Sequence, residues 1–114
     1  MSESAASALL EHLAYLEVLP SQRPLSFPLL RIEHPEGLSH RTVAPIDLGD
    51  NFALTRSIGD EWLARQEQLF LVVPSVFCSE TWNWIMNPLH PDASQVRIVE
   101  SLTPTLDLRL VRKI

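Results

Sequence analysis

The sequence predicts an α+β domain. Three observations carry that prediction: a helix-forming segment at the amino-terminal end, a strand-length apolar run at LFLVV, and helical and strand-like segments that alternate without the rhythm of a doubly wound parallel sheet. The 114 residues amount to one domain. With 46% hydrophobic and 20% charged residues the composition is globular rather than disordered.

Ser2 or Ser4 can cap a first helix that runs to about Val18, where Pro20 and Pro24 stop it. Its apolar residues fall on more than one side: Leu9, Leu13 and Leu16 share one face, Leu10, Ala14 and Val18 another. Such a helix is expected to be packed around by other elements. Residues 21–28 (SQRPLSFP) read as a proline-rich loop. LLRIEH alternates as a strand does, and PEG turns the chain. Residues 38–54 carry loop signals at Pro45 and Gly49-Asp50-Asn51 and are otherwise ambiguous. TRSIGDEWLARQEQ reads as a helix with Ile58, Trp62 and Leu63 inward. LFLVV follows as a strand buried on both faces, ended by Pro74. SETWNWIMNPLHPD reads as a helical turn broken at Asn87-Pro88, and QVRIVE and LTPTLDLRL as two closing strands.

Composition excludes several functions. Nine basic against fourteen acidic residues leave a net charge of −5, the wrong sign for direct nucleic-acid binding. No apolar run approaches the roughly 20 residues of a membrane-spanning helix, and the start MSESAAS lacks a basic n-region. The single cysteine, Cys78, cannot form an internal disulfide, so a cytoplasmic location is expected. Glycine-rich phosphate loops are absent, His12, His34, His40, His90 and Cys78 show no metal-ligand spacing, and Ser75 lies in VVPSVF rather than a GxSxG elbow. No metal or cofactor is expected.

Three features remain. Glu11 projects beside Ser7, Ala14 and Val18; a carboxylate there is either paired, with Arg31 or Arg56, or opens onto a cavity. Ser75 follows the buried strand and Pro74, where it is either a turn residue or a hydroxyl delivered to a pocket. Trp82 and Trp84, beside Asn83 and Asn87, can stack on and hydrogen-bond a planar ligand, or can be core and edge aromatics with Asn87 capping a turn before Pro88.

The order and spacing of these residues resemble the RES domain. Ile58, Gly59, Asp60, Trp62 and Leu63 match that family's Ile-Gly-Asp-x-Trp-Leu helix, and VVPS its Val-Pro-Ser strand end. Asn83, Asn87, Pro88, His90, Pro91 and Asp92 match Asn-x-x-x-Asn-Pro-x-His-Pro-Asp. SESAASALLEHL looks like the family's serine-rich glutamate helix, and TPTLDLRL like the domain's end. The family is named for an arginine, a glutamate and a serine. The resemblance makes Glu11 the glutamate, a catalytic carboxylate, and Ser75 the serine, a catalytic and substrate-binding residue of the pocket; Asn87 is a candidate for a polar contact with the substrate, and Trp82 or Trp84 for stacking on it.

The resemblance implies an ADP-ribosyltransferase-like mixed sheet with packed helices. It implies a toxin of a bacterial toxin–antitoxin pair that degrades NAD at the nicotinamide–ribose bond, with an Xre-type antitoxin as partner. NAD would be substrate, not cofactor. The family's arginine, a pocket tyrosine and the first strands have no counterpart in residues 1–114, which correspond to the carboxy-terminal two-thirds or more of the domain. The expectation is therefore a weakened or inactive enzyme; the alternative is a non-catalytic remnant acting as a protein-interaction module. An exposed sheet edge and apolar surface, and with them self-association, are also expected.

Overall fold

The computed structural model describes residues 1–18 (backbone alone at 15–18), 27–44, 52–78, 80–105, 107 and 109. The loop read over residues 21–28 lies mostly outside them. The described elements are α1 (Ala5–Val18), β1 (Leu29–Glu33), β2 (His40–Thr42), α2 (Phe52–Arg65), β3 (Phe70–Pro74), β4 (Trp82–Met86), a 3-10 turn (Pro91–Gln95) and β5 (Arg97–Leu102). Helices and mixed sheets make this an α+β fold, as the sequence predicts. Among the described residues no helix is long and apolar enough to cross a membrane.

α1 starts where Ser4 places it. The Ser7 amide donates to Ser4 Oγ and the Ser4 amide to Ser7 Oγ, both at 3.1 Å, a reciprocal capping box closed by a second serine. Such a cap contributes about 1 kcal/mol. The helix is less enclosed than its all-round apolar pattern suggests, and Leu10 is exposed.

The main sheet has the order β2-β3-β4, with β2 parallel and β4 antiparallel to β3. A parallel pair needs a crossover, and α2 supplies it between β2 and β3. Its inner side sets Trp62 and Ile58 on Val43, Leu71 and Val73. The Trp62 indole N–H donates to the Gln68 carbonyl at 3.2 Å, so the ring is buried without an orphan donor. Leu63 faces out and is exposed, contrary to its expected inward place: Ile58 and Trp62, four apart, already fill the inner stripe. β3 is the central strand and Leu69, Phe70, Leu71 and Val72 are all buried, which is why the segment reads as an unbroken apolar run.

Residues 82–86 form a strand, not the helical turn read over SETWNWIMNPLHPD. Tryptophans two apart suit a pleated surface, and one face of β4 repeats Trp82, Trp84 and Met86 opposite Pro74, Val72 and Phe70. On that face Trp84 lies edge-on to Phe70, ring centroids 5.3 Å apart, with His34 at 6.0 Å and His40 at 5.5 Å. The strand stops at Asn87, whose amide N–H donates to the Leu69 carbonyl at 2.8 Å. His90 Nδ1 then accepts from the Asp92 amide at 3.0 Å and caps the 3-10 turn.

β1 and β5 form a separate antiparallel ribbon, with Arg31 opposite Glu100 and their side chains paired at 2.9 Å. Both are well exposed, so that pair contributes little. The ribbon leaves Leu30, Ile98, Val99 and Leu102 exposed. Of LTPTLDLRL, β5 contains only Leu102; Asp107 accepts instead from the Arg109 amide at 2.8 Å, and Leu106, Leu108 and Leu110 lie outside the described residues.

Candidate functional site

A polar constellation joins the first helix to the end of the main sheet. Pro74 ends β3, and the next residue, Ser75, is buried. Its amide donates to the Thr81 carbonyl at 2.9 Å, which closes the β3–β4 connection. Ser75 Oγ accepts from the Phe77 amide at 3.2 Å and the Cys78 amide at 3.4 Å. The hydroxyl has one proton, and it goes to Glu11 Oε1 at 2.6 Å. Turn residue and pocket hydroxyl are thus the same group: the lone pairs hold the turn and the proton reaches the carboxylate.

Glu11 sits on α1 and is joined across the fold by a second donor. Asn83 Nδ2 donates to the same oxygen, Oε1, at 3.0 Å. Asn83 Oδ1 in turn accepts from Ser2 Oγ at 3.4 Å, and Ser2 pairs with Asn83 in an antiparallel bridge beside β4. Next to that bridge the Met1 amine donates to the Trp84 carbonyl at 2.7 Å. Burial pushes the Met1 amine below its ordinary range, against the opposing pull of the Glu11 carboxylate. Among the described residues no arginine or lysine forms an ion pair with Glu11: Arg31 pairs with Glu100, Arg65 with Glu61, and Arg109 with Asp107.

Asn87 is placed elsewhere. It follows β4 about 14 Å beyond Asn83, at roughly 3.4 Å per residue. It is fully buried, and both ends of its amide are engaged: Nδ2 donates to the Leu63 carbonyl at 3.3 Å, and Oδ1 accepts from the Leu89 amide at 3.0 Å. Trp82 stands opposite Pro74, half-buried, on the face of β4 away from Asn83. The structure therefore brings Glu11 and Ser75 together and leaves Asn87 and Trp82 apart from them.

A cleft of about 600 Å³ opens beside this constellation, with Ser2, Ser4, Ala8, Arg31, His34 and Trp84 in its wall. Neither Glu11 nor Ser75 lines it. Ala8 lies one turn before Glu11 on α1, and Ser2 both borders the cleft and bonds Asn83. Among the described residues no group of three or more His, Cys, Asp or Glu side chains is placed to hold a metal ion.

The sequence places Asn83 beside the tryptophans but not at the carboxylate, and offers Ser2 as a helix cap rather than as a partner of Asn83. The missing signal was strand parity. Once residues 82–86 are read with a period of two, Asn83 falls on the face opposite Trp82 and Trp84, shared with its cross-strand partner Val73.

A carboxylate on an amino-terminal helix, held by a serine at the end of the central strand, defines a class of α+β domain with a preorganised acidic site. The comparisons narrow that class. A model of the RES domain family matches residues 1–110. A protein of Pseudomonas putida named "Toxin Res" is 38% identical over 104 residues, covering 89% of this chain and 72% of the relative. A protein of a Sphingobium species named "Prs ADP-ribosylating toxin" is 32% identical over 120 residues, covering 98% of this chain and 73% of the relative. The chain belongs to the RES domain family.

Proposed function

We infer that this chain is the toxin component of a toxin–antitoxin pair and that it acts on NAD at the nicotinamide–ribose bond. The observation that carries the reading is the 2.6 Å hydrogen bond between Ser75 and Glu11, residues 64 positions apart in the chain, which we assign to the serine and glutamate for which the family is named. The names of the two relatives support the toxin role.

The chemistry suits a fixed carboxylate. The bond between ribose C1′ and the nicotinamide nitrogen breaks with its electron pair going to nicotinamide, and positive charge grows on the ribose. A carboxylate already oriented stabilises that oxocarbenium-like state without reorganising. In hydrolysis a water oxygen then bonds C1′ and releases a proton, giving ADP-ribose; in phosphorolysis a phosphate oxygen takes its place. Glu11 supplies the negative charge, and Ser75 holds it in place through the proton it donates to Oε1.

Turnover is expected to be slow. The pyrophosphate of NAD calls for a forked guanidinium, and among the described residues no arginine bonds Ser75, Glu11 or Asn83. An Xre-type antitoxin covering this site would be the partner, and the NAD pool of the cytoplasm the target.

Purified chain incubated with NAD, with Glu11→Ala as control, tests the reading. Slow loss of NAD that disappears in Glu11→Ala supports it. Turnover that survives Glu11→Ala removes Glu11 from the reaction. No turnover at all favours the competing reading, a non-catalytic module that docks a partner.

A further inference from the structure

We propose that Asn83 is a positioning residue for Glu11, and that Ser75 and Asn83 together pin Oε1 so that Oε2 is the oxygen presented to substrate. The inference rests on the NAD reading for its chemistry but on geometry for its assignment. Two donors, one in the turn just past β3 and one on β4, converge on one oxygen, Ser75 Oγ at 2.6 Å and Asn83 Nδ2 at 3.0 Å. Among the described residues no donor is directed to Oε2. A carboxylate merely neutralised by its surroundings would have its bonds spread over both oxygens, since each carries two acceptor sites. Among the described residues the asymmetry makes Oε1 the anchor and directs no donor to Oε2.

The orientation of the Asn83 amide is itself determined. Ser2 Oγ donates to Oδ1 at 3.4 Å, which turns Nδ2 toward Glu11. The Ser2–Asn83 bridge fixes the backbone at the same point, so the side chain is held from both ends. Asn83 is also at the right place on its strand. It lies opposite Val73, two residues before Ser75, so the two donors approach the carboxylate from β4 and from the turn just past β3. Asn87, the other asparagine of the same motif, spends its amide on the Leu63 carbonyl and the Leu89 amide and does not reach Glu11. The two asparagines therefore have separate duties, one at the carboxylate and one at the end of the strand.

Asn83→Ala and Asn83→Asp separate a positioning role from a structural one. With NAD as substrate, Asn83→Ala is expected to lower kcat about ten- to hundredfold, the loss of one charge-assisted hydrogen bond, with KM within about threefold of the parent. In Asn83→Asp two carboxylates face each other. Lowering the pH puts a shared proton between them and restores an O–H donor where the amide N–H stood. The ratio of Asn83→Asp to Asn83→Ala activity should then rise at least fivefold between pH 8 and pH 5.5. Equal kcat for Asn83→Ala and parent, or a pH-independent ratio, overturns the proposal.

A second arm is independent of turnover. In protein carrying ¹³C-carboxyl glutamate, the Glu11 side-chain resonance, assigned by its loss in Glu11→Gln, should move in Asn83→Ala and stay in place in Gln95→Ala, whose amide donates to Asp92. A parent chain that leaves NAD untouched sinks the NAD reading while this resonance still decides the assignment of Asn83. An unmoved resonance in a folded Asn83→Ala overturns the proposal whatever the NAD assay gives.

Discussion

Replacing Ser75 with alanine removes a hydroxyl that does three jobs, and their sizes can be estimated separately. The bond to Glu11 Oε1, at 2.6 Å, is charge-assisted and contributes about 1.5–3 kcal/mol. The bonds accepted from the Phe77 and Cys78 amides are long, 3.2 and 3.4 Å, and contribute roughly 0.5 kcal/mol each at most. Ser75→Ala should therefore destabilise the chain by about 2–4 kcal/mol, or a Tm loss of about 8 °C or more. Turn and carboxylate are told apart by a double-mutant cycle with Glu11→Ala, followed by urea denaturation with tryptophan fluorescence. If the hydroxyl's main partner is Glu11, the coupling energy should be about 1.5–3 kcal/mol. The turn bonds survive Glu11→Ala and drop out of the coupling. A coupling below about 0.5 kcal/mol would refute the reasoning: Ser75 would then be a turn residue alone.

Three further outcomes follow from the geometry. Asn87→Ala should cost about 2–4 kcal/mol in urea denaturation, because it leaves the buried Leu63 carbonyl and Leu89 amide without their partner and opens a void. Two glycines should respond with opposite signs: a Cβ at Gly59 in α2 meets nothing within 4 Å and Gly59→Ala should raise stability by about 0.5–1 kcal/mol, whereas Gly37, at φ +83°, is in the left-handed region and Gly37→Ala should lower it by about 1 kcal/mol. The Arg109 side chain, then its amide, hold the exposed Asp107 carboxyl below its ordinary value of 3.8. The Asp107–Arg109 contact should thus be present at neutral pH, persist as pH falls past that ordinary value, and be lost as pH drops through the lowered one. An NMR titration of the Asp107 carboxyl checks this, with Arg109→Ala expected to return it upward.

How much could be read from the sequence depends on the range of the interaction concerned. α1 begins at a serine cap because capping is local, and β3 is legible because a central strand between two others needs apolar residues on both faces. β4 was hidden because five residues, WNWIM, are too few to separate a period of two from a period of 3.6. The meeting of Glu11 with Ser75 spans 64 positions, and no local pattern encodes it; only the resemblance to a family pointed there.

The two asparagines show why that resemblance could not assign duties by itself. In Asn-x-x-x-Asn-Pro both residues are equally prominent, and the one beside proline looks the more distinctive. Fold geometry reverses that impression. Asn87 is distinctive because a strand must stop there, with a buried amide tying its end to α2 through the Leu63 carbonyl. Asn83 is held by alternation on the opposite face from the tryptophans, and there it meets Glu11 and Ser2. A motif can thus combine a residue that builds the sheet with one that uses it. In this chain the assignment follows from where each amide lies: Asn83 Nδ2 donates to Glu11, whereas Asn87 Nδ2 donates to the Leu63 carbonyl.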